Sequence, residues 1–229
     1  MYDRTCKLLT IHYLTGLNTR EKLLLSEVTE CALDVRNMSR IACEHIIRRR
    51  IRSGLFSPVE AYSRAERDSH DLTDAGYGYN FYWDFDFPAL LREIHNPPFL
   101  IFYRGENPGT VLSTIRFPWI AVVGTRFPTG IARKGAYKLG REFAELGIPV
   151  VSGLAYGIDE AVHAGVVDGN GIGFAVLGNG IDTVYPKANQ KLAKNIISSG
   201  GALLSEYGPG VEARRYHFPE RNRIIAGCC

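Results

Sequence analysis

Ile148-Pro-Val-Val-Ser-Gly-Leu-Ala-Tyr-Gly-Ile-Asp159 is the stretch that decides the fold. Its apolar start, Ile148 to Val151, is short and bounded by turn residues, the mark of a buried strand. The strand ends in Ser152-Gly153, and Gly157 to Val167 reads as a helix. The same unit recurs on both sides. Trp119 to Val123 is a strand ending at Gly124, followed by a helix from Gly130 to Leu146. That helix carries Ala132, Ala136, Leu139, Phe143 and Leu146 on one face and stops at Gly147. Ile172 to Leu177 is a third strand, ending at Gly178, with a helix from Ala188 to Ser199. Ala202 to Leu204 is a fourth, ending in Ser205-Glu206. Strands alternating with helices predict an α/β domain whose parallel sheet is covered on both faces.

Upstream, Phe99 to Tyr103 reads as a further buried strand. Phe87-Pro88 through Ile94 reads as a short helix stopped by Asn96-Pro97-Pro98. Residues 67–86 are polar and rich in Gly and Tyr, and read as a linker. Residues 1–66 show apolar clusters at Leu8, Leu9, Ile11 and Leu14, at Leu23, Leu24, Leu25 and Val28, and at Ile41, Ala42, Ile46 and Ile47. These spacings predict a small helical N-terminal domain. The run Arg48-Arg49-Arg50-Ile51-Arg52 suits a solvated helix end, where cations complement the dipole, with a nucleic-acid contact as the other reading. The division is therefore 1–66 helical, 67–86 linker and 87–229 α/β.

A length of 229 residues allows one large domain or two small ones. Hydrophobic residues at 45% and charged residues at 22% exclude a largely disordered chain. Of the 24 glycines, 18 lie from Pro118 onward, so the second half is built on Gly-rich turns. The net charge of +3 is too small to imply nucleic-acid binding alone. The part before Pro118 carries 15 basic and 15 acidic residues, so the whole excess sits in the Gly-rich part. Five cysteines, Cys6, Cys31, Cys43, Cys228 and Cys229, form no disulfide or zinc pattern. With no apolar run of membrane length and no signal-like start, a cytoplasmic protein without a membrane partner is expected.

Ligands of parallel α/β sheets bind outside the carboxyl ends of the strands. Here that rim carries Gly124-Thr125-Arg126, Ser152-Gly153 through Gly157 and Asp159, Gly178 and Gly180, and Ser205-Glu206. Glycines permit close backbone approach, and the helix starts offer N–H groups to phosphate. There is no G-x-G-x-x-G after the first strand, no acid ending the second and no Walker A sequence, which argues against dinucleotides and P-loop ATP hydrolysis. Asp159 and His163 are spaced as a metal pair but lack a third ligand, so neither a metal nor another cofactor is expected. Asp159 reads as a helix-start acid. Arg126, Lys187, Arg214, Arg215, Arg221 and Arg223 supply cations, and Tyr185, Tyr216, His217 and Phe218 supply rings. This suits single-stranded nucleic acid better than a duplex reader.

Val123-Gly-Thr-Arg126, Val151-Ser-Gly-Leu-Ala-Tyr-Gly-Ile-Asp159, Val176-Leu-Gly-Asn-Gly-Ile-Asp182 with Tyr185-Pro186, Ala202-Leu-Leu-Ser-Glu206 and Phe218-Pro-Glu-Arg-Asn-Arg-Ile-Ile-Ala-Gly227 together resemble the DNA-processing protein A family (DprA, or Smf). Residues 87–227 carry the resemblance. It implies a Rossmann-like domain that binds single-stranded DNA, protects incoming strands in natural transformation, helps load the RecA recombinase, and has no established catalysis. It implies DNA contacts at Gly124, Thr125, Arg126, Ser152, Gly153, Gly157, Gly178 and Gly180, with Arg221, Asn222 and Arg223 lining or bracing the pocket; Lys187, the cation of the third loop, is expected to join them. It also implies a homodimer for the full-length protein.

Two departures stand out. Thr125 replaces the usual Ser and keeps the hydroxyl. Tyr156 stands where a basic residue is frequent, exchanging a phosphate contact for a stacking face. The family continues past Gly227-Cys-Cys229, so the C-terminal part of the domain is expected to be missing. An open apolar strand edge and poorly covered Ile224, Ile225 and terminal cysteines follow from that expectation. The alternative is a nucleotide-processing, phosphoribohydrolase-like enzyme on a related fold. That family's P-G-G-x-G-T-x-x-E motif is absent here.

Overall fold

The computed structural model describes residues 2–52, 54–105 and 119–229; residues 106–118 of the expected 87–229 domain lie outside them. Two compact units divide the chain at Ala75/Gly76.

Among its described residues the first unit holds five helices: α1 (Tyr2–Tyr13), α2 (Thr19–Val28), α3 (Ala32–Asn37), α4 (Arg40–Ile47) and α5 (Pro58–Asp74). Asn18 starts α2 with a capping box: its side chain accepts from Glu21 N, and the Glu21 carboxylate accepts from Asn18 N. Arg49 donates to the same carboxylate and to Gly16 O. One arginine of the basic run is thus spent inside the unit, and Arg48 closes α4 in the left-handed conformation. Leu8, Leu9, Ile11, Leu14, Leu25 and Val35 are buried.

The division falls later than expected. Residues 67–74 are the last turns of α5, which buries Ala61, Ala65 and Leu72 beneath an otherwise polar sequence. The rest of the expected linker supplies a strand, β1 (Gly78–Phe81). Its antiparallel partner is β2 (Leu100–Arg104), with Gly78 opposite Tyr103.

Beyond the one-turn α6 (Ala89–Arg92) and β2 come the alternating elements. These are β3 (Ile120–Ala121), α7 (Gly130–Glu145), β4 (Val150–Ser152), α8 (Ile158–Asp168), β5 (Gly173–Val176), α9 (Gln190–Ser198), β6 (Ala202–Ser205) and α10 (His217–Gly227). Among the described residues the sheet has six strands in the order β1-β2-β6-β5-β4-β3. β3 to β6 are parallel, as the alternation predicts. β1 and β2 are antiparallel additions, so the sheet is mixed rather than purely parallel. Only the one-turn α6 lies between β1 and β2, too short for the full crossover that parallel pairing needs.

Alternation along the strands divides the core. Val150 packs with Val162 and Val166 of α8 on one face. Val151, Phe174, Val176 and Leu204 face Leu91 of α6, Ile224 and Ile225 of α10, and Cys228 just past its end on the other. Helices therefore cover both faces. Ile224, Ile225 and Cys228 are at most 3% exposed, so the expected lack of cover applies only to exposed Cys229. Of the expected face of α7, Ala136 is buried and Phe143 packs against the core, while Ala132, Leu139 and Leu146 are exposed and Gly140 points inward instead. A Cβ at Gly140 would strike the Val162 carbonyl, so α7 and α8 approach backbone to backbone at that point, and Phe143 packs beside it against the Val150, Val162 and Val166 cluster. Among the described residues β3 pairs only with β4, and no helix is long and apolar enough to cross a membrane.

Candidate nucleic-acid interface

The carboxyl ends of β3, β4, β5 and β6 share one edge, and side-chain hydrogen bonds tie their loops together. Asp159, in the first turn of α8, accepts from Gly124 N and Gly153 N, both at 3.2 Å. It joins the β3 and β4 loops and places its own carboxylate where an anion would otherwise bind the helix start. Burial pushes the Asp159 carboxyl upward, against the opposing pull of the Gly124 amide and of Arg221. Arg221 enters from α10, donating to Gly153 O at 2.8 Å and to Val176 O, so it joins the β4 and β5 loops. Only 4% exposed, its guanidinium is pushed down to about 10, chiefly by burial, and stays charged at neutral pH.

The same loops hold a residue the motif reading did not single out. Leu154 is buried with a φ of 53°, in the left-handed region that costs a non-glycine residue roughly 1 kcal/mol. Asn189 Nδ2 donates to its carbonyl at 2.9 Å and ties that loop to the segment before α9. His217 Nδ1 lies 3.2 Å from Gly178 O, while Ser205 Oγ donates to Asn179 O at 2.7 Å. The rim is therefore a preformed, cross-linked surface.

The candidate residues divide into two groups. Gly124, Thr125, Arg126, Lys187 and Asn222 are exposed, and Arg223 is half-buried in an ion pair with Glu206 at 2.5 Å. Ser152, Gly153, Gly157, Gly178, Gly180 and Arg221 are buried. The room left by two of these glycines is filled by α10. A Cβ at Gly153 would fall on the Arg221 guanidinium, and one at Gly178 would come within 2.9 Å of the Phe218 ring. The glycines admit the chain's own α10, and the exposed surface is made of side chains.

That surface is cationic and aromatic. The Arg126 guanidinium lies over the Phe218 ring, 5.1 Å from its centroid, and has no carboxylate partner among the described residues. Thr125 Oγ1 accepts from Phe127 N at 3.1 Å and fixes the turn that presents Arg126. Phe127 is 92% exposed, and Tyr156, Tyr185 and Tyr216 are each about half exposed. Phe127 escaped the motif reading because a lone Phe beside an apolar strand looks like core. Among the described residues no cluster of His, Cys, Asp or Glu could hold a metal ion.

Residues 78–229 match the family described as DNA recombination-mediator protein A. The chain belongs to that family. It is 42% identical over 145 residues to the DNA processing protein DprA of Streptococcus pneumoniae, covering 62% of this chain and 48% of that one. It is 36% identical over 141 residues to the protein Smf of Escherichia coli, covering 62% and 36%. The chain thus spans half or less of these relatives. The DprA crystal structure from S. pneumoniae superposes with a TM-score of 0.69 at 32% identity, over 98% of this chain and 75% of that one. The DNA processing protein A of Helicobacter pylori, whose structure concerns a single-stranded DNA binding mode, gives a TM-score of 0.57 at 25% identity, over 66% and 65%. DprA/Smf membership extends the likeness from the motifs to the whole Rossmann-like unit.

Proposed function

We propose that the strand-end rim of this DprA/Smf member binds single-stranded DNA without catalysis. In the cell it would protect incoming strands and help load the RecA recombinase during natural transformation and recombination. The observation that carries the reading is the exposed pairing of cations with rings: Arg126, Lys187, Phe127, Tyr156 and Tyr185. Arginine supplies paired phosphate donors, and unpaired bases expose faces on which the rings stack. Because Asp159 occupies the amides of the β3 and β4 loops, phosphate recognition falls to side chains, with Arg221 bracing from below. The likeness to the H. pylori protein supports the same ligand class.

Cytoplasmic location, homodimer formation and RecA contact belong to the same proposal. The deciding experiment is a salt-titrated binding assay with single-stranded and blunt duplex oligonucleotides. Preference for the single strand, falling as salt rises, is the expected result. Equal affinity for the two would refute it. RecA pull-down and sedimentation test the partners separately.

A further inference from the structure

Arg104, Lys187 and Lys194 line one pocket of about 350 Å³, floored by Ala193, Ile197 and Leu203. They arrive from three elements: the end of β2, the turn before α9, and α9 itself. The sequence does not announce their convergence, because Arg104 stands 83 positions before Lys187 and reaches it only through the antiparallel pairing of β2 with β6, Arg104 opposite Leu203. Among the described residues none of the three has a carboxylate within ion-pair distance. Arg104 has an aromatic neighbour, its guanidinium 5.8 Å from the Tyr77 ring centroid. The one acid in the lining, Asp182, accepts from Gly210 N at 3.0 Å. Three cations against one acid over an apolar floor concentrate a positive field, since the low-dielectric wall focuses it. Thr183 and Gln190 add polar groups to the lining.

We infer that this pocket is a second phosphate subsite, adjoining the rim at Lys187, taking a phosphodiester further along the bound strand. The inference rests on the single-stranded DNA reading and extends it. Lys187 and the 182–187 loop belong to both the rim and the pocket, so a strand lying on Arg126 and Tyr185 can pass over that loop and place a later phosphate between Arg104 and Lys194. A free phosphorylated small molecule presents the same chemistry, and the experiment separates the two.

The test is anisotropy titration of oligothymidylates from about 4 to about 16 nucleotides, the span of single-strand site sizes, using the whole chain and the double variant Arg104→Gln/Lys194→Gln. Both residues are outside the rim, and neither holds an ion pair that folding would miss. The shortest oligonucleotide should bind the double variant as it binds the wild type. The longest should lose roughly tenfold in affinity, and its salt dependence should fall by about 0.7, the slope for one phosphate contact on a single strand. Arg126→Ala weakens both lengths, which separates the rim from the pocket. Unchanged binding of the longest oligonucleotide by the double variant overturns the inference. Should the wild type bind no oligonucleotide, the single-strand reading fails. Pyrophosphate is then the probe: pyrophosphate binding lost in the double variant upholds the subsite with a small-molecule occupant, and no binding overturns it.

Discussion

Arg126 and Phe218 meet across the rim, the guanidinium carbon of one 5.1 Å from the ring centroid of the other. The contact orients a cation that no carboxylate neutralises among the described residues, and it does so from α10, the helix that also delivers Arg221. Arg126→Ala should therefore weaken single-stranded DNA binding by about 1.5–3 kcal/mol, the range for a charge-assisted hydrogen bond. Loss of the exposed cation–π contact should cost only about 0.5–1 kcal/mol of stability. Arg126→Lys should recover part of the affinity, because the planar fork is lost. Titration and melting of the same variants check both numbers.

Phe127 is exposed one residue further on, so removing its ring should leave melting unchanged. Phe127→Ala should cost about 1–3 kcal/mol of single-strand affinity, the worth of one stacked base. Unchanged affinity would remove Phe127 from the interface.

Gly153→Ala places a methyl group on the Arg221 guanidinium, which two carbonyls hold in place. Overpacking of this kind costs about 1–3 kcal/mol. Arg221→Met relieves the clash but strands both carbonyls, at about 1–3 kcal/mol for each unmade bond. Urea denaturation of the two single variants and the double variant should give a strongly non-additive cycle.

His163 is fully buried in α8, and burial holds its imidazole down to about 4, against an ordinary 6.5. Between these values the unfolded chain binds the proton and the folded chain does not, so stability falls as pH drops from 6.5 toward 4 and is intact above 6.5. The loss amounts to about 3 kcal/mol at 1.4 kcal/mol per pH unit. Asp159, whose carboxyl is raised by burial, acts with the opposite sign near its own range. The comparison with His163→Leu isolates the histidine: the variant should show a flatter stability curve over that interval.

The parallel strands were legible because each is an apolar run closed by a small residue: Val150–Ser152 before Gly153, and Gly173–Val176 before Gly178. β1 was not, since Gly78–Phe81 is short and polar-flanked and becomes a strand only by pairing with β2. The inward face of α7 was legible only in part: Ala136 and Phe143 lie on it, but Leu139 and Leu146, which share the apolar pattern, do not, and close helix contact selected Gly140 in their place. At the rim, sequence motifs located the loops. They did not separate the glycines that admit α10 from the side chains that face solvent, because that depends on which helix fills the space. Nor did they disclose the pocket around Arg104, which exists only through β2–β6 pairing.

That pairing also bears on how the chain is made. Phe102 is opposite Ser205 in the sheet, about a hundred residues later in synthesis. At about 5–20 residues per second, the β1–β2 hairpin emerges from a ribosome about 5–20 s before its partner strand exists. Through that interval Leu100, Ile101 and Phe102, all buried in the finished sheet, lack the β6 side of their cover. A nascent chain paused between residues 105 and 200 should therefore be the form most dependent on chaperones, and synonymous changes that slow translation there should lower the yield of soluble protein without altering a single residue.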